Sequence, residues 1–558
     1  MANKHPWLKN YPKGVNQEIN PDKYRSLVEL LEECFEKYGD LTAYENFGTG
    51  ISFRKLDKLS LCFAAYLQNE AGLQPGDRIA IQMPNLLQYP VALFGALRAG
   101  CIVVNINPLY TAREMEYHFS DSGVKAVVIL ANFAANLEKA LVKTPIEKII
   151  VTEIGDLLDF PKRPIVNLVV KHIKKMVPSY NLPQEVKFNE VLKMGQKCKF
   201  EKPVVQGKDI AFLQYTGGTT GVSKGAILTH RNMIANMEQI SEWMKPKLIE
   251  REEIVITALP MYHIFALTVN CLAFLKIGAK NILITNPRDM KAFIKDLKKH
   301  KFSVFTGVNT LFNGLMNQPD FKNIDFSGLK IAVGGGMAVQ KIVAEKWHEI
   351  TGSNLAEGYG LTETAPVLSC NPIDGNEKLG TIGLPLPSTE LKIMDEEGNE
   401  VPEGEIGEIC VKGPQVMPGY WNNEAETKLV FRDGWFMTGD IGKIDNDGYV
   451  RIVDRKKDMI NISGFNVYPN EIENVIAAHP KVLEVGAVGV TDDRSVEVVK
   501  VFVVKKDASL TREELLAYCR ENLTAYKVPK LVEFKKELPK SNIGKILRRK
   551  LIAEEQTA

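Results

Sequence analysis

The chain has 558 residues, 45% of them apolar and 25% charged, with a formal net charge of +2. These are the proportions of a globular protein, and the length suits roughly three to four domains. The balanced charge offers no basic field for nucleic acid. Eight cysteines, at 34, 62, 101, 198, 271, 370, 410 and 519, form no CxxC pair; neither a disulfide framework nor a zinc site is expected, and a reducing cytoplasm fits.

The opening MANKHPWLKNYPKG has no apolar core, so it is not expected to be a signal peptide. Apolar runs at 78–84, 102–105, 125–130 and 148–152 read as strands, alternating with helical patterns such as 87–99. That alternation predicts α/β layers with largely parallel sheets. Along 163–177, Val166, Val169, Val170, Ile173 and Val177 recur at helical spacing, with Asn167, Lys171, Lys174 and Lys175 opposite. This reads first as a surface helix packing its apolar face on the core. The alternative is a basic amphipathic helix on an anionic membrane surface. The apolar stretches 89–104 and 264–275 are interrupted by Arg98 and Asn270 and fall short of a spanning helix.

After a strand at 209–214 comes Tyr215-Thr216-Gly217-Gly218-Thr219-Thr220-Gly221-Val222-Ser223-Lys224-Gly225, then a helix start at Thr229. Glycines let the backbone approach an anion, and the threonine hydroxyls, N–H groups and Lys224 can share a triphosphate. The Walker A pattern requires glycine before the lysine and Ser or Thr after it; here Ser223 precedes and Gly225 follows. The α/β pattern returns with strands at 254–260, 281–285, 303–308 and 330–333, the last leading into Gly334-Gly335-Gly336. Then follow Glu357-Gly358-Tyr359-Gly360-Leu361-Thr362-Glu363-Thr364, short strands from 386 to 453, and the block DGWFMTGDIGKIDNDGYVRIVDRKKD from Asp433 to Asp458. Beyond 455 a helix, two strands, a second helix and a last strand make a compact α+β unit. In ISGFNVYPNEIE, Asn470 with Glu473 reads as a capping arrangement, and Gly464 leaves room for a narrow thiol arm. Near the C-terminus stands LPKSNIGKILRR, with Lys545.

Together these segments resemble, in order, the motifs of the adenylate-forming enzymes, the family of acyl-CoA synthetases, peptide-synthetase adenylation domains and luciferase, and most closely its bacterial fatty acid–CoA ligases. The resemblance spans nearly the whole chain. It departs at Ser223, where many members have proline. It implies an N-terminal domain over 1–454, with two layered α/β sheets and a β-rich subdomain at about 386–453, and a small mobile α+β domain over 455–558. It implies ATP and coenzyme A as substrates with Mg²⁺ as cofactor. Residues 215–221 and Lys224 would hold phosphates, and Gly335, Gly336 and 357–360 would enclose the adenine. Thr362 would lie near the α-phosphate, Glu363 on Mg²⁺ with Thr216 as a second contact, and Asp440 and Arg455 on the ribose. Lys545 would bridge substrate carboxylate and α-phosphate, Lys457 would be the hinge, and Gly464 would line the passage for pantetheine. His263 would lie beside the carboxyl; on residues alone, a lone histidine ending a strand is more often a structural one.

The expected reaction joins a long-chain fatty acid to AMP and then to coenzyme A. Alternatives with the same ATP residues are an acyl-AMP ligase serving a carrier protein and an inactive nucleotide sensor. Peripheral contact with the cytoplasmic face of a membrane and a homodimer stand as further expectations.

Overall fold

The computed structural model describes residues 5–216, 223–462, 465–492, 496–541 and 544–557. Among these the strands form four sheets. The first runs Val186–Lys187, Lys148–Thr152, Val124–Leu130, Arg78–Gln82, Ile102–Asn105, Ile210–Thr216, Lys224–Thr229. All its pairs are parallel except the last. The second has nine strands and a parallel centre from Leu355–Gly360 to Thr42–Asn46, with antiparallel strands at both ends. Near-continuous Val/Ile runs such as RIAIQ, VKAVVIL and IVIT suit strands covered on both faces.

The helices that cover them are correspondingly apolar. Every residue of Gln88–Arg98 is buried, and Arg98 is tolerated there because Asp57 pairs with it at 2.6 Å. The His230–Met244 helix opens on a capping box, with Thr229 accepting from Asn232 N and the Asn232 side chain accepting from Thr229 N. Its buried polar side chains find partners across the domain. Asn236 donates to Val367 O at 2.7 Å and Gln239 to Pro387 O at 2.7 Å.

A third, antiparallel sheet comprises Glu390–Met394, Gly407–Lys412, Trp435–Ile444, Phe431–Arg432 and Val450–Arg455. The short helix Glu424–Val430 inside this β-rich stretch is absent from the sequence reading. The fourth sheet, in the smaller C-terminal domain, joins Phe465–Val467, Ile460–Ile462, Val496–Lys505, Val482–Asp492 and Leu531–Lys535. Helices Pro469–Ala477, Arg512–Asn522 and Arg548–Thr557 flank it.

Two local expectations fail. Asn470 and Glu473 form no capping box: Tyr468 is the N-cap without a side-chain bond, and Pro469 follows it. Asp454 instead accepts from Asn470 N at 2.7 Å, while Glu473 accepts from Ala487 N at 2.8 Å. A carboxylate brought from another element has replaced the local cap. The 163–177 segment is helical over Lys162–Leu168, then widens through Val169–Ile173. Its inward side includes Asn167, which accepts from Gly155 N at 2.7 Å, whereas Ile165, Leu168, Ile173 and Met176 are exposed. Of the expected apolar face, Val166, Val169, Val170 and Val177 are half-buried, with Val166 and Val177 packed on the core; the departures are Ile173, which is exposed, and Asn167, which turns inward. Among the described residues no helix is long and apolar enough to cross a membrane.

Candidate active site

The described phosphate-loop candidates Tyr215, Thr216 and Lys224 lie at the facing ends of two antiparallel strands, not at a helix N-terminus. Ile210–Thr216 pairs antiparallel with Lys224–Thr229, Thr216 standing opposite Lys224. The helix begins only after this second strand, so the strand–loop–helix expectation is corrected. Gly217, Gly218, Thr219, Thr220 and Gly221 lie outside the described residues, as does Gly464. The flanks of the loop are fastened: Ser223 donates to Thr216 O at 2.7 Å, and Tyr117 donates to Ser223 O at 2.7 Å. On the free edge of the second strand, Trp421 N bonds Gly225 O at 2.8 Å and Ile227 N bonds Gly419 O at 3.0 Å.

The facing strand ends open onto a cavity of about 650 Å³. Tyr215, Thr216, Lys224, His263, Gly335, Gly336, Gly358, Tyr359, Gly360, Thr362, Glu363, Arg455 and Lys545 all line it. Glu357 does not. Its carboxylate turns away and accepts from Val339 N at 3.2 Å; burial pushes its carboxyl up to about 8. Lys457 is exposed in the turn after the Val450–Arg455 strand and does not line the cavity. Gly335 permits close packing: a Cβ there would lie 3.0 Å from both Gly358 O and the Phe265 ring.

Asp440 is held by two neighbours that reach the cavity. Tyr359 donates its hydroxyl at 2.6 Å and Arg455 Nε pairs at 3.1 Å, each on a different carboxylate oxygen. The expected ribose contact at Asp440 would therefore exchange for existing bonds. Glu363 is buried, and Oε1 accepts from Tyr420 at 2.8 Å; burial raises its carboxyl and the Tyr420 bond partly offsets that. Tyr420 is missing from the sequence reading. Its only local signal is a Gly-Tyr-Trp run before the Asn423 N-cap, which says nothing of a partner 57 residues away.

Lys545 enters from the C-terminal domain. Its turn is closed by Ser541 N to Lys545 O at 2.7 Å, and Thr310 of the N-terminal domain donates to Gly544 O at 3.1 Å. Gly544 has φ +85° and sits so close that a Cβ would lie 2.5 Å from Thr310 Oγ1. The charge of Arg455 and burial lower the Lys545 ammonium to about 8. Burial and the nearby Lys545 charge lower His263 to about 4, so its imidazole is neutral near pH 7.

The opposite wall is apolar, formed by Ile240, Trp243, Met244, Val269, Val367 and Leu386. Trp243 satisfies its indole N–H on Asn371 O at 3.1 Å, so the remaining ring is free to act as apolar surface. One cavity thus joins cations, a buried carboxylate and an apolar wall.

The AMP-binding enzyme profile matches residues 31–421, and that of the AMP-binding enzyme C-terminal domain matches residues 471–545. The chain belongs to the AMP-binding enzyme family. Within it, the chain is 57% identical over 548 residues to a long-chain-fatty-acid–CoA ligase of Escherichia coli, covering 98% of each chain. It is 40% identical to the Bacillus subtilis protein of that name, over 100% of this chain and 99% of the relative. Among solved AMP-binding enzymes, an anthranilate CoA ligase bound to anthranoyl-AMP superposes with a TM-score of 0.86 at 25% identity, covering 97% of this chain and 99% of that one. ATP-bound MatB from Rhodopseudomonas palustris gives 0.78 at 30% identity, covering 95% and 99%.

Mg²⁺ fits this donor set. Glu363 offers a hard oxygen inside the cavity, and the described residues hold no cluster of three or more His, Cys, Asp or Glu. A cation bound through one or two carboxylates plus substrate phosphates needs no such cluster.

Proposed function

We infer that this protein is an ATP-dependent long-chain fatty acid–CoA ligase working through an acyl-adenylate. The observation that carries this reading is the single cavity in which Lys545 and Arg455 face an apolar wall, in a chain 54–57% identical over nearly its whole length to ligases of that name.

A carboxylate is a poor acyl donor because oxide is a poor leaving group. In the first step its oxygen bonds the α-phosphorus of ATP and the bond to pyrophosphate breaks. In the second, the sulfur of CoA bonds the acyl carbon, AMP leaves, and the thiol proton goes to solvent. The enzyme needs no nucleophile of its own; placement and charge stabilisation suffice. Lys545 offsets the charge that gathers between carboxylate and α-phosphate, and neutral His263 borders the carboxyl without adding a second charge. Gly335, Gly336, Gly358 and Tyr359 form the adenine slot, Arg455 and Asp440 meet the ribose, and residues 215–221 with Lys224 take the β- and γ-phosphates. Mg²⁺ would be held by Glu363, with Thr216 as a second contact, and would supply charge neutralisation on the phosphates. The thioester step requires Lys545 to withdraw and the Gly464 segment to approach, with Lys457 as pivot. The test is AMP release across C6 to C18 fatty acids, with and without CoA. Preference for acetate or aromatic acids would overturn the substrate, and acyl-AMP accumulation despite CoA would favour transfer to a carrier protein.

We also place the enzyme at an anionic membrane surface. Phe160, Ile165, Leu168, Ile173 and Met176 are exposed beside Lys162, Arg163, Lys171, Lys174 and Lys175. Apolar groups among lysines match the chemistry of an anionic bilayer. Replacing Lys171, Lys174 and Lys175 with glutamate should weaken binding to phosphatidylserine vesicles while sparing turnover of detergent-dispersed substrate. Undiminished vesicle binding would refute this.

A further inference from the structure

The ammonium of Lys224 already has a partner. It pairs with the carboxylate of Glu426 and lies over the Tyr420 ring, 5.4 Å from its centroid. Both members of the pair are largely shielded, their side chains being 13% and 28% exposed. Glu426 is not on a loose side chain that happens to fall nearby. Its own N–H bonds Asn423 Oδ1 at 3.1 Å. The next residue, Thr427, donates to Asn423 O at 2.8 Å and accepts from Tyr420 N at 2.9 Å. The segment before this helix is clipped to the strand that bears Lys224, through Gly225 and Ile227. Acid and base are therefore built onto one rigid unit, and Leu429 and Val430 of the same helix line the active-site cavity.

A triphosphate that reaches Lys224 meets a cation whose charge is already matched. Either the ammonium leaves Glu426 or two anions share it, and both choices weaken the hold on the terminal phosphates. We propose that Glu426 is a specificity-determining counter-charge that limits retention of polyphosphate, for ATP on entry and pyrophosphate on exit. AMP, which has only the α-phosphate, should be indifferent to it. This rests on the reading that Lys224 contacts the β- and γ-phosphates.

The test compares Glu426→Gln, Lys224→Met and the double variant by KM for ATP, inhibition by pyrophosphate, and AMP affinity. Glu426→Gln should lower the ATP KM and the pyrophosphate inhibition constant together, each roughly fivefold, with AMP affinity unchanged. In the Lys224→Met background the same change should have no effect. A raised or unchanged ATP KM in Glu426→Gln would overturn the proposal, as would an equal shift for AMP. If Lys224→Met itself leaves the ATP KM unchanged, the phosphate reading of Lys224 fails. If Lys224→Met raises it while Glu426→Gln does nothing, only the counter-charge role fails.

Discussion

Replacing Lys545 with methionine should stop adenylate formation while making the free protein more stable near neutral pH. The ammonium is lowered from 10.5 to about 8 by Arg455 and burial; at about 1.4 kcal/mol per tenfold in proton affinity, that is about 3 kcal/mol against the charged form. In the proposed role, a substrate carboxylate and an α-phosphate would relieve this cost on binding. Removing the charge should therefore slow adenylation by about a hundredfold or more and largely spare thioester formation from synthetic acyl-AMP. For stability the sign is opposite. The folded pKa lies below the unfolded one, so between about 8 and 10.5 the unfolded chain binds more protons and wild-type stability rises with pH. The thermal midpoint of Lys545→Met should exceed that of the wild type below pH 8, and the gap should narrow towards pH 10. Adenylation by the wild type, measured as kcat/KM for ATP, should decline as pH rises through about 8. Equal loss in both half-reactions, or a lower midpoint at pH 7 that does not change with pH, would refute this account.

Glu363→Gln should raise the Mg²⁺ concentration for half-maximal adenylation at least roughly tenfold, because an amide keeps the shape but not the charge; an unchanged Mg²⁺ titration would remove Glu363 from the metal. Arg548→Met should destabilise the C-terminal domain by about 3–5 kcal/mol, the range for breaking a buried ion cluster. Arg548 pairs with Asp454 at 3.1 Å, Asp458 at 3.2 Å and Glu473 at 2.7 Å. Thermal unfolding and proteolysis of residues 455–558 would measure it, and wild-type resistance would show that Arg548 is dispensable.

Strand positions in the two large sheets could be read from the sequence because parallel strands are apolar on both faces and bounded by Gly and Pro. In the mostly antiparallel C-terminal sheet the three longer strands were legible, but the three-residue strands Ile460–Ile462 and Phe465–Val467 are too short to carry a pattern. Helical pattern alone placed the capped start at Thr229. It did not separate the intervening KGAILT into its own strand, since six residues with a glycine carry little periodicity. At 163–177 Val166, Val169, Val170 and Val177 are half-buried as their spacing indicates, while the bond from Gly155 N to Asn167, which draws that side chain inward, has no local signal. The cavity residues legible beforehand are those in dense motifs. Tyr420 and Glu426 were not, because their partners are brought to them by tertiary bonds: Lys224 by the pairing at Gly225 and Ile227, and Glu363 by the bond from Met417 N to Glu363 O at 2.8 Å.

Asp454 and Arg455 are neighbours on one strand and therefore point to opposite sides. Arg455 is committed to Asp440 and the nucleotide cavity. Asp454, fully buried, is committed to Asn470 N and Arg548 of the C-terminal domain. A swing of that domain pivoting beyond 455 would keep the first attachment and sever the second. Asp454 would then meet water, and the hydration regained by a carboxylate whose burial disfavours its charge would offset part of the lost pairing. On the proposed two-step cycle, the two orientations would then be closer in free energy than a count of broken contacts suggests, as visiting both in each turnover would require.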